Sequence, residues 1–398
     1  MSPTRVGIIG LKASTSDSLL GSWGVRGHLR SIQGLSSLYE IVAVANSTIE
    51  SSLKSIEVHK LPTTTKAYGN AEDLAADPNV ELVVISVELR KHYELAMPAL
   101  KHKKDNGNSP ILKVYCHENG MLTLRLLQRP MAASVKEAEE LTKVAKERGV
   151  RTMVGLQGRY DPLVQKVKEI LNEGKIGKII SSTVTVCSSA LPVGTWLKDL
   201  EFYLDWNSGG NEYTIFIGHF LDSFTYLLGD FASVLGLLAC QYSSVAIIDP
   251  ATGQIVNPAY PKTAPDHVCI TGTLQSSAIA SLTFRKPPSA ADSVGFRWYI
   301  TGTEGEIAIT TEEGNWQGGG IREKRKISLK VGKADSVDIE FGKDDNTLAE
   351  KVAFPATNTA RQYEVFAAGD RDVVTFEDGL RNHRLLQRIA NSSGWAMI

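Results

Sequence analysis

The chain has 398 residues, 42% apolar and 22% charged, a composition that suits two globular domains with true cores. Lys+Arg number 43 against 44 Asp+Glu, so no basic excess is available to hold nucleic acid. No apolar run approaches bilayer length, and the opening MSPTRVGIIG enters a strand without a signal-peptide pattern. The cysteines, Cys116, Cys187, Cys240 and Cys269, are too scattered for a disulfide framework or a zinc site. A cytosolic protein is expected, with access to the nucleus left open.

In chain order, RVGIIG (Arg5 to Gly10) is an apolar strand ending in glycine, and YEIVAVA (Tyr39 to Ala45) is a second strand. Residues 70 to 80 form a helix stopped at Asp77-Pro78. VELVVISV (Val80 to Val87) is a third strand, HYELAMPAL (His92 to Leu100) a helix, and LKVYC (Leu112 to Cys116) a fourth strand. The next helix has Ser134 at its cap and Glu137 three residues on, the capping-box spacing. Val135, Ala138, Leu141 and Val144/Ala145 then repeat at helical period, Gly149 closes the end, and RTMVG is another strand. Near-continuous apolar strands alternating with helices predict a doubly wound parallel sheet over residues 1 to 155. Between Cys116 and Ser134 the stretch from His117 to Gln128 fits neither element. It reads as an insertion, of the kind a retained intron or misplaced splice junction would leave.

The first turn offers Gly7 and Gly10, then Gly21, Gly24 and Gly27 after the loop LKASTSDSLL. Glycines there let a backbone approach a pyrophosphate at a helix N-terminus. The long loop makes this an imperfect G-x-G-x-x-G, and a plain glycine turn is the alternative. At the end of the second strand stand Asn46, Ser47 and Thr48. With no carboxylate among them a 2′-phosphate is tolerated, so NADP (or NAD) is the cofactor expected.

From Gly155 onward the texture changes to short β runs, among them SSTVTVCSS, VCITGTLQ, AIASLTF, GFRWYITG and KISLKV, which predict an open, mainly antiparallel sheet with a few helices. FEDGLRNHRLLQRIANSS carries Leu380, Leu385, Leu386 and Ile389 at helical spacing. The architecture expected is therefore a nucleotide domain (1–155) followed by an open-sheet domain (156–398), with a ligand cleft between them. In GGNEYTIFIGHFLDSFTYLLGD, His219 and Asp222 share a helix face. Such a pair moves a proton at a carbinol or carbonyl, or is simply a buried histidine with its neighbours. Arg159 and Tyr160 in LQGRYDP line the cleft or cap the linker. Asp266-His267 in KTAPDH reads as turn chemistry. Trp196 and Trp206 floor a pocket or belong to a core. No metal box, nucleophile elbow or Walker loop is present.

Taken in order, RVGIIG…VRGHL, VELVVISV…HYELAMPAL, LKVYC…RPMAAS, LQGR…P, GG…GHFLD, GTEGEIAI and EDGLRNHRLLQRIANSS resemble the glucose-fructose oxidoreductase/inositol dehydrogenase (Gfo/Idh/MocA) family along nearly the whole chain. LQGR, FIGHFLD and KTAPDH resemble its fungal branch, which contains the galactose-pathway co-repressors of yeasts alongside oxidoreductases. The resemblance implies a Rossmann-type domain whose cofactor residues are Gly7, Gly10, Leu11, Trp23, Gly24, Asn46, Ser47, Ser86, His92, Gln157 and Arg159. The family's catalytic Glu-Lys-Pro lysine falls on Arg129, before Pro130, and its Asp-x-x-x-His pair falls on Ile215 and His219. Arginine keeps the charge but does not exchange a proton near neutrality. Two roles follow. One is an NAD(P)-dependent oxidoreductase of a small hydroxy or keto compound, with His219 the proton carrier, Asp222 its orienter and Arg129 an electrostatic anchor. The other is a nucleotide-binding co-regulator that engages a protein. A homodimer through the open sheet is expected in either case.

Overall fold

The computed structural model describes residues 2–14, 23–101, 124–128, 130–187, 193–312, 316, 324–342, 346–370, 372–395 and 397. The chain divides into two compact units, Met1–Gln157 with Thr347–His383, and Gly158–Asn346 with Arg384–Ile398.

The first unit opens with β1 (Thr4–Ile9), α1 (Arg30–Gly34), β2 (Tyr39–Ala45), α2 (Ile49–Val58), β3 (Lys66–Tyr68) and α3 (Ala71–Ala76). It continues through β4 (Leu82–Ile85), α4 (His92–Lys101), β5 (Leu124–Gln128), α5 (Val135–Glu147) and β6 (Thr152–Gly155). The six strands are parallel in the order β3-β2-β1-β4-β5-β6, the doubly wound arrangement expected. Val6 and Ile8 of β1 and Leu82, Val83 and Val84 of β4 are fully buried. Strands covered on both faces have no solvent side to mark with polar residues, hence their unbroken apolar runs. α5 is capped by Ser134, whose hydroxyl accepts the Glu137 N–H, while the Glu137 carboxylate reaches back to the Ala133 N–H rather than to Ser134.

One strand differs from expectation. Leu112–Cys116 lies outside the described residues, and the place between β4 and β6 is taken by Leu124–Gln128, pairing Leu82 with Leu124 and Arg125 with Thr152. The last five residues of the supposed insertion are therefore sheet. LKVYC and LRLLQ are both short apolar runs, and periodicity cannot rank two such candidates for one position.

The second unit contains α6 (Pro162–Asn172), β7 (Ile179–Cys187), β8 (Thr195–Leu197), α7 (Gly218–Leu228), β9 (Phe231–Ala239), β10 (Ser244–Ile248), β11 (Ile255–Pro261) and β12 (His267–Leu274). β13 (Ile279–Arg285), β14 (Phe296–Gly302), β15 (Gly305–Thr311), β16 (Arg325–Val331) and β17 (Val337–Ile339) follow. Eight strands form one sheet in the order β17-β16-β15-β14-β7-β13-β12-β9, antiparallel except between β7 and β13, and β11-β10-β8 form a small second sheet. This is the large open, mainly antiparallel sheet expected. Strict alternation sorts its faces. Val184, Val186, Leu282, Phe284, Phe296, Trp298, Ile307 and Ile309 are buried on one side, whereas Leu235, Leu237 and Ile279 are more than 60% exposed. α7 covers the buried side. Its Phe220 meets Phe284, Phe296, Trp298 and Trp316 edge to face at centroid distances of 5.8, 5.6, 5.2 and 5.3 Å, the favoured aromatic geometry. The polar tip of Trp298 donates to the Ser182 hydroxyl at 2.8 Å.

Three helices follow: α8 (Asn346–Lys351), α9 (Thr357–Ala367) and α10 (Phe376–Ser392). The division expected at residue 155, with everything beyond it in the second domain, is not the one found, because Thr347–His383 returns to the first unit. α9 packs there through Tyr363, which is fully buried and whose carbonyl accepts the Tyr39 hydroxyl at 2.7 Å. Gln362 donates to the Val154 carbonyl of β6 at 2.6 Å. An amphipathic pattern reports that a helix has a buried face, not which sheet receives it.

The boundary falls inside α10, and its later residues close the open edge of β9. Gly236 N–H donates to Ser392 Oγ at 2.7 Å and Leu238 N–H to Ser393 Oγ at 3.1 Å, pairing groups that an edge strand otherwise offers to other chains. A Cβ at Gly236 would stand 2.6 Å from both the Ile389 side chain and its carbonyl oxygen. Gly236→Ala is expected to destabilise the fold by about 1–3 kcal/mol, read as a lower urea midpoint at unchanged slope.

Candidate functional site

In the first unit, the strand order reverses beside β1, the position where doubly wound sheets bind nucleotides at the carboxyl ends of their strands. Gly10 follows β1 with φ +90°, donates its N–H to the Ala45 carbonyl at 3.0 Å, and has no room for a side chain. A Cβ there would lie 2.4 Å from Val87 and 2.5 Å from the Ser86 carbonyl. Ser86, at the end of β4, is nearly buried and donates its N–H to Ile9. Gly7 lets α3 approach, since a Cβ would meet Leu74 at 2.8 Å. Gly24 opens a wide helical turn, Gly24–Leu29, in which a Cβ at Gly27 would stand 2.5 Å from the Trp23 indole nitrogen. The Gly10 turn, Ser86 and the β2 end converge as a dinucleotide requires, and the residues present fit one.

Three of the expected cofactor residues have structural partners. Leu11 is fully buried in the core of this unit, and its carbonyl accepts from Asn46 Nδ2 at 3.0 Å and from Ser55 Oγ at 2.6 Å. Asn46 also donates to Ser51 O and Ser55 Oγ, so its amide nitrogen faces protein while Ser47 is exposed. His92 is buried with Nδ1 3.0 Å from Pro130 O and Nε2 3.2 Å from Val87 O. It ties the turns after β4 and β5 together. Burial pulls its pKa down to about 4 against the upward pull of backbone hydrogen bonds. Gln157 is buried at the end of this unit, and Arg129 lies outside the described residues.

In the second unit, His219 and Asp222 are both 1% exposed on α7. Asp222 does not orient the imidazole as expected. Its two oxygens receive Arg159 Nε at 2.8 Å and Arg159 Nη2 at 2.6 Å, a bidentate pair whose guanidinium also lies 5.1 Å over the Tyr226 ring. Arg159, expected at the cofactor, is thereby committed to α7. Guanidinium geometry matches a carboxylate fork better than an imidazole does. The same segment sends Asp161 to cap α6 through the Leu163 N–H and to take Arg325 at 2.8 and 3.1 Å. Gly158 sits against Ser223 Oγ, which accepts from Trp316 at 2.9 Å. Ile215, at the place of the family aspartate, belongs to the wide turn Tyr213–Ile217 leading into α7.

Sequence reasoning missed a second polar centre. Lys262 Nζ donates to Asp266 Oδ2 and to the Ala264 carbonyl, both at 2.7 Å. Asp266 also accepts the backbone N–H groups of Gln241 and Tyr242, and His267 Nδ1 lies 2.8 Å away. Burial raises the Asp266 pKa, but the His267, Lys262 and Gln241 hydrogen bonds outweigh it and bring it to about 2. KTAPDH is thus a buried charge hub rather than simple turn chemistry. It borders a recess lined by Trp196, Tyr203, Glu212 and Lys286, where Glu212 and Lys286 pair at 3.0 Å and Trp196 stacks on Tyr203 at 4.8 Å. Trp206, by contrast, packs on Trp395 and Tyr213. Charged residues 74 positions apart give no sequence signal of pairing. Among the described residues no cluster of three or more His, Cys, Asp or Glu could hold a metal, and no helix is long and apolar enough to cross a membrane.

Residues 4–106 match the model of the oxidoreductase family with an NAD-binding Rossmann fold, and residues 162–311 match that of the Gal80p C-terminal domain. The chain is 28% identical to the galactose/lactose metabolism regulatory protein GAL80 of Saccharomyces cerevisiae, over 78% of this chain and 68% of that one. It is 31% identical to dehydrogenase aclE of Aspergillus oryzae, over 77% and 76%. A super-repressor mutant of Gal80p from S. cerevisiae superposes with a TM-score of 0.81 at 23% identity, covering 98% of this chain and 97% of that one. Levoglucosan dehydrogenase in complex with NADH and L-sorbose superposes with a TM-score of 0.73 at 16% identity, covering 99% and 97%. Fold and turn define the class of NAD-binding oxidoreductase folds. Within it, the chain belongs to the Gfo/Idh/MocA family, in its fungal, Gal80-like branch.

Removing one member of the buried Arg159–Asp222 pair leaves the other charge stranded, which costs about 3–5 kcal/mol. Asp222→Asn is expected to lose stability on that scale in urea unfolding, and Arg159→Met combined with Asp222→Leu is expected to recover most of it. A near-neutral Asp222→Asn would show that the pair does not form.

Proposed function

We propose that this chain is an NAD(P)-dependent oxidoreductase that moves a hydride between a nicotinamide ring and a small hydroxy or keto compound such as a sugar, a polyol or a biosynthetic intermediate. The observation that carries the reading is the glycine turn at the reversal point of the parallel sheet, where Gly10 leaves no space for a side chain. Its support from relatives is the dehydrogenase matched at 31% identity over most of its length. A bound dinucleotide supplies the hydride. The chain's share is to shape the phosphate turn with Gly10 and Ser86 and to handle the substrate proton. We assign that proton to His219, the side chain standing at the family histidine, and an oxygen-holding charge to Arg129. Because Asp222 serves Arg159, the imidazole works without that carboxylate and turnover is expected to be slow.

The second reading, a nucleotide-binding co-regulator that engages a protein, is favoured by the same pairing and by Ile215 at the aspartate position. One assay separates the two. Purified protein is given NADH and NADPH with panels of sugars and ketones, and the oxidised cofactors with polyols. Turnover that falls roughly 100-fold or more in His219→Ala supports the enzyme. Dinucleotide binding without hydride transfer anywhere in the panel replaces it with the co-regulator.

We further propose a homodimer through the outer face of the eight-stranded sheet, where Leu235, Leu237 and Ile279 are 62%, 67% and 62% exposed on strands β9 and β13. Apolar side chains grouped on one open sheet face favour burial against a like surface. Leu237→Glu is expected to shift the sedimenting species from dimer to monomer. An unchanged profile would refute this face as the interface.

A further inference from the structure

Pro130 and Met131, both buried, lead from Arg129 in the sequence into the cap of α5. α10 holds the Met131 end of this turn. Met131 N–H donates to His383 Nε2 at 3.2 Å, and a Cβ on Gly379, one helical turn before His383, would stand 3.3 Å from the Met131 sulfur. His383 Nε2 is therefore the lone-pair nitrogen of a neutral imidazole. A second histidine meets the end nearest Arg129. His92, the first residue of α4 and 2% exposed, places Nδ1 3.0 Å from the Pro130 carbonyl and Nε2 3.2 Å from the Val87 carbonyl. Val87 follows β4 and stands where a Cβ on Gly10 would fall. The ring thus lies between the turn beside Gly10 and the turn that begins at Pro130.

Both groups facing the His92 ring nitrogens are carbonyls, and a carbonyl only accepts. A neutral imidazole has one N–H, so it satisfies one of them and turns a lone pair on the other. Burial keeps the ring neutral, drawing its pKa down to about 4 against the upward pull of the Val87, Pro130 and Met131 backbone. The contact to Pro130 is the shorter and has the ordinary N–H to oxygen length. It also joins residues 38 positions apart, whereas the contact to Val87 closes a loop of five. We propose that His92 is a positioning residue of the hydride-transfer site: as the Nδ1–H tautomer it gives its single proton to the Pro130 carbonyl and so fixes the backbone next to Arg129 relative to the Gly10 turn. The inference rests on the oxidoreductase reading. Displacing a reacting group by about 1 Å costs on the order of 100-fold in rate, which gives one backbone tie at this point its leverage. The opposite tautomer ties Val87 and releases Pro130.

Two substitutions separate the tautomers. The amide nitrogen of His92→Asn falls near the place of Nδ1 and keeps a donor for Pro130, while that of His92→Gln falls near Nε2 and keeps a donor for Val87. The full chain carrying isotopically labelled histidine is examined by nuclear magnetic resonance, with the His92 signals identified by their loss in His92→Asn. Protonated Nδ1 and bare Nε2 are expected. For each folded variant, kcat is measured on a substrate that the unmodified chain turns over, and dinucleotide Kd by nicotinamide fluorescence. His92→Gln is expected to lower kcat roughly tenfold or more, the worth of one neutral hydrogen bond, with dinucleotide Kd little changed. His92→Asn is expected to restore most of that loss. A ring protonated at Nε2, or equal kcat in the two variants, would overturn the inference and leave the oxidoreductase reading standing. No turnover by the unmodified chain would overturn both.

Discussion

Arg159 gives Nε and Nη2 to the two oxygens of Asp222 in a setting that is almost fully enclosed. Two opposite charges removed from water must satisfy each other geometrically, since either alone is far costlier than the pair. That requirement fixes the segment entering the second unit onto α7, with Gly158 against Ser223 and Trp316 closing over the same hydroxyl. The bond also has a chemical consequence. The carboxylate three residues from His219 on the same helix is engaged by Arg159.

The first unit is built around a different constraint, which is room. Gly10 sits where the ends of β1 and β4 leave no volume for a Cβ, and a positive φ turns the chain out of the sheet there. The residues next to it have structural partners of their own. Leu11 is core, Asn46 braces the turn against α2, and His92 joins two loop backbones. A binding surface of this kind depends on a rigid frame, and these contacts supply it.

Common ancestry with both regulators and dehydrogenases follows naturally from this division of labour. The relatives this chain matches include both regulators and dehydrogenases on one fold, and here that fold carries Ile215 in the turn before α7 and Asp222 paired to Arg159. The Lys262–Asp266 hub belongs to the same logic. It organises the loop before β12 by pairing charge with charge and with backbone N–H groups, while the adjacent Glu212–Lys286 pair joins α7's leading turn to the end of β13.

Local pattern alone determined a good deal here. Unbroken apolar runs marked β1, β2 and β4 as strands of a covered parallel sheet, short β-type runs marked β7, β12, β13, β14 and β16 as an open one, and Ser134 with Glu137 marked the start of α5. Each of these signals is local, because burial on one or two faces leaves its period in neighbouring residues. Tertiary structure alone decided that Leu124–Gln128 fills the place between β4 and β6, that Thr347–His383 joins the first unit, and that Asp222 answers to Arg159 rather than His219. It also decided that Glu212 meets Lys286 across 74 positions. Those outcomes depend on which of several chemically equivalent partners arrives in space, and a linear pattern carries no record of that.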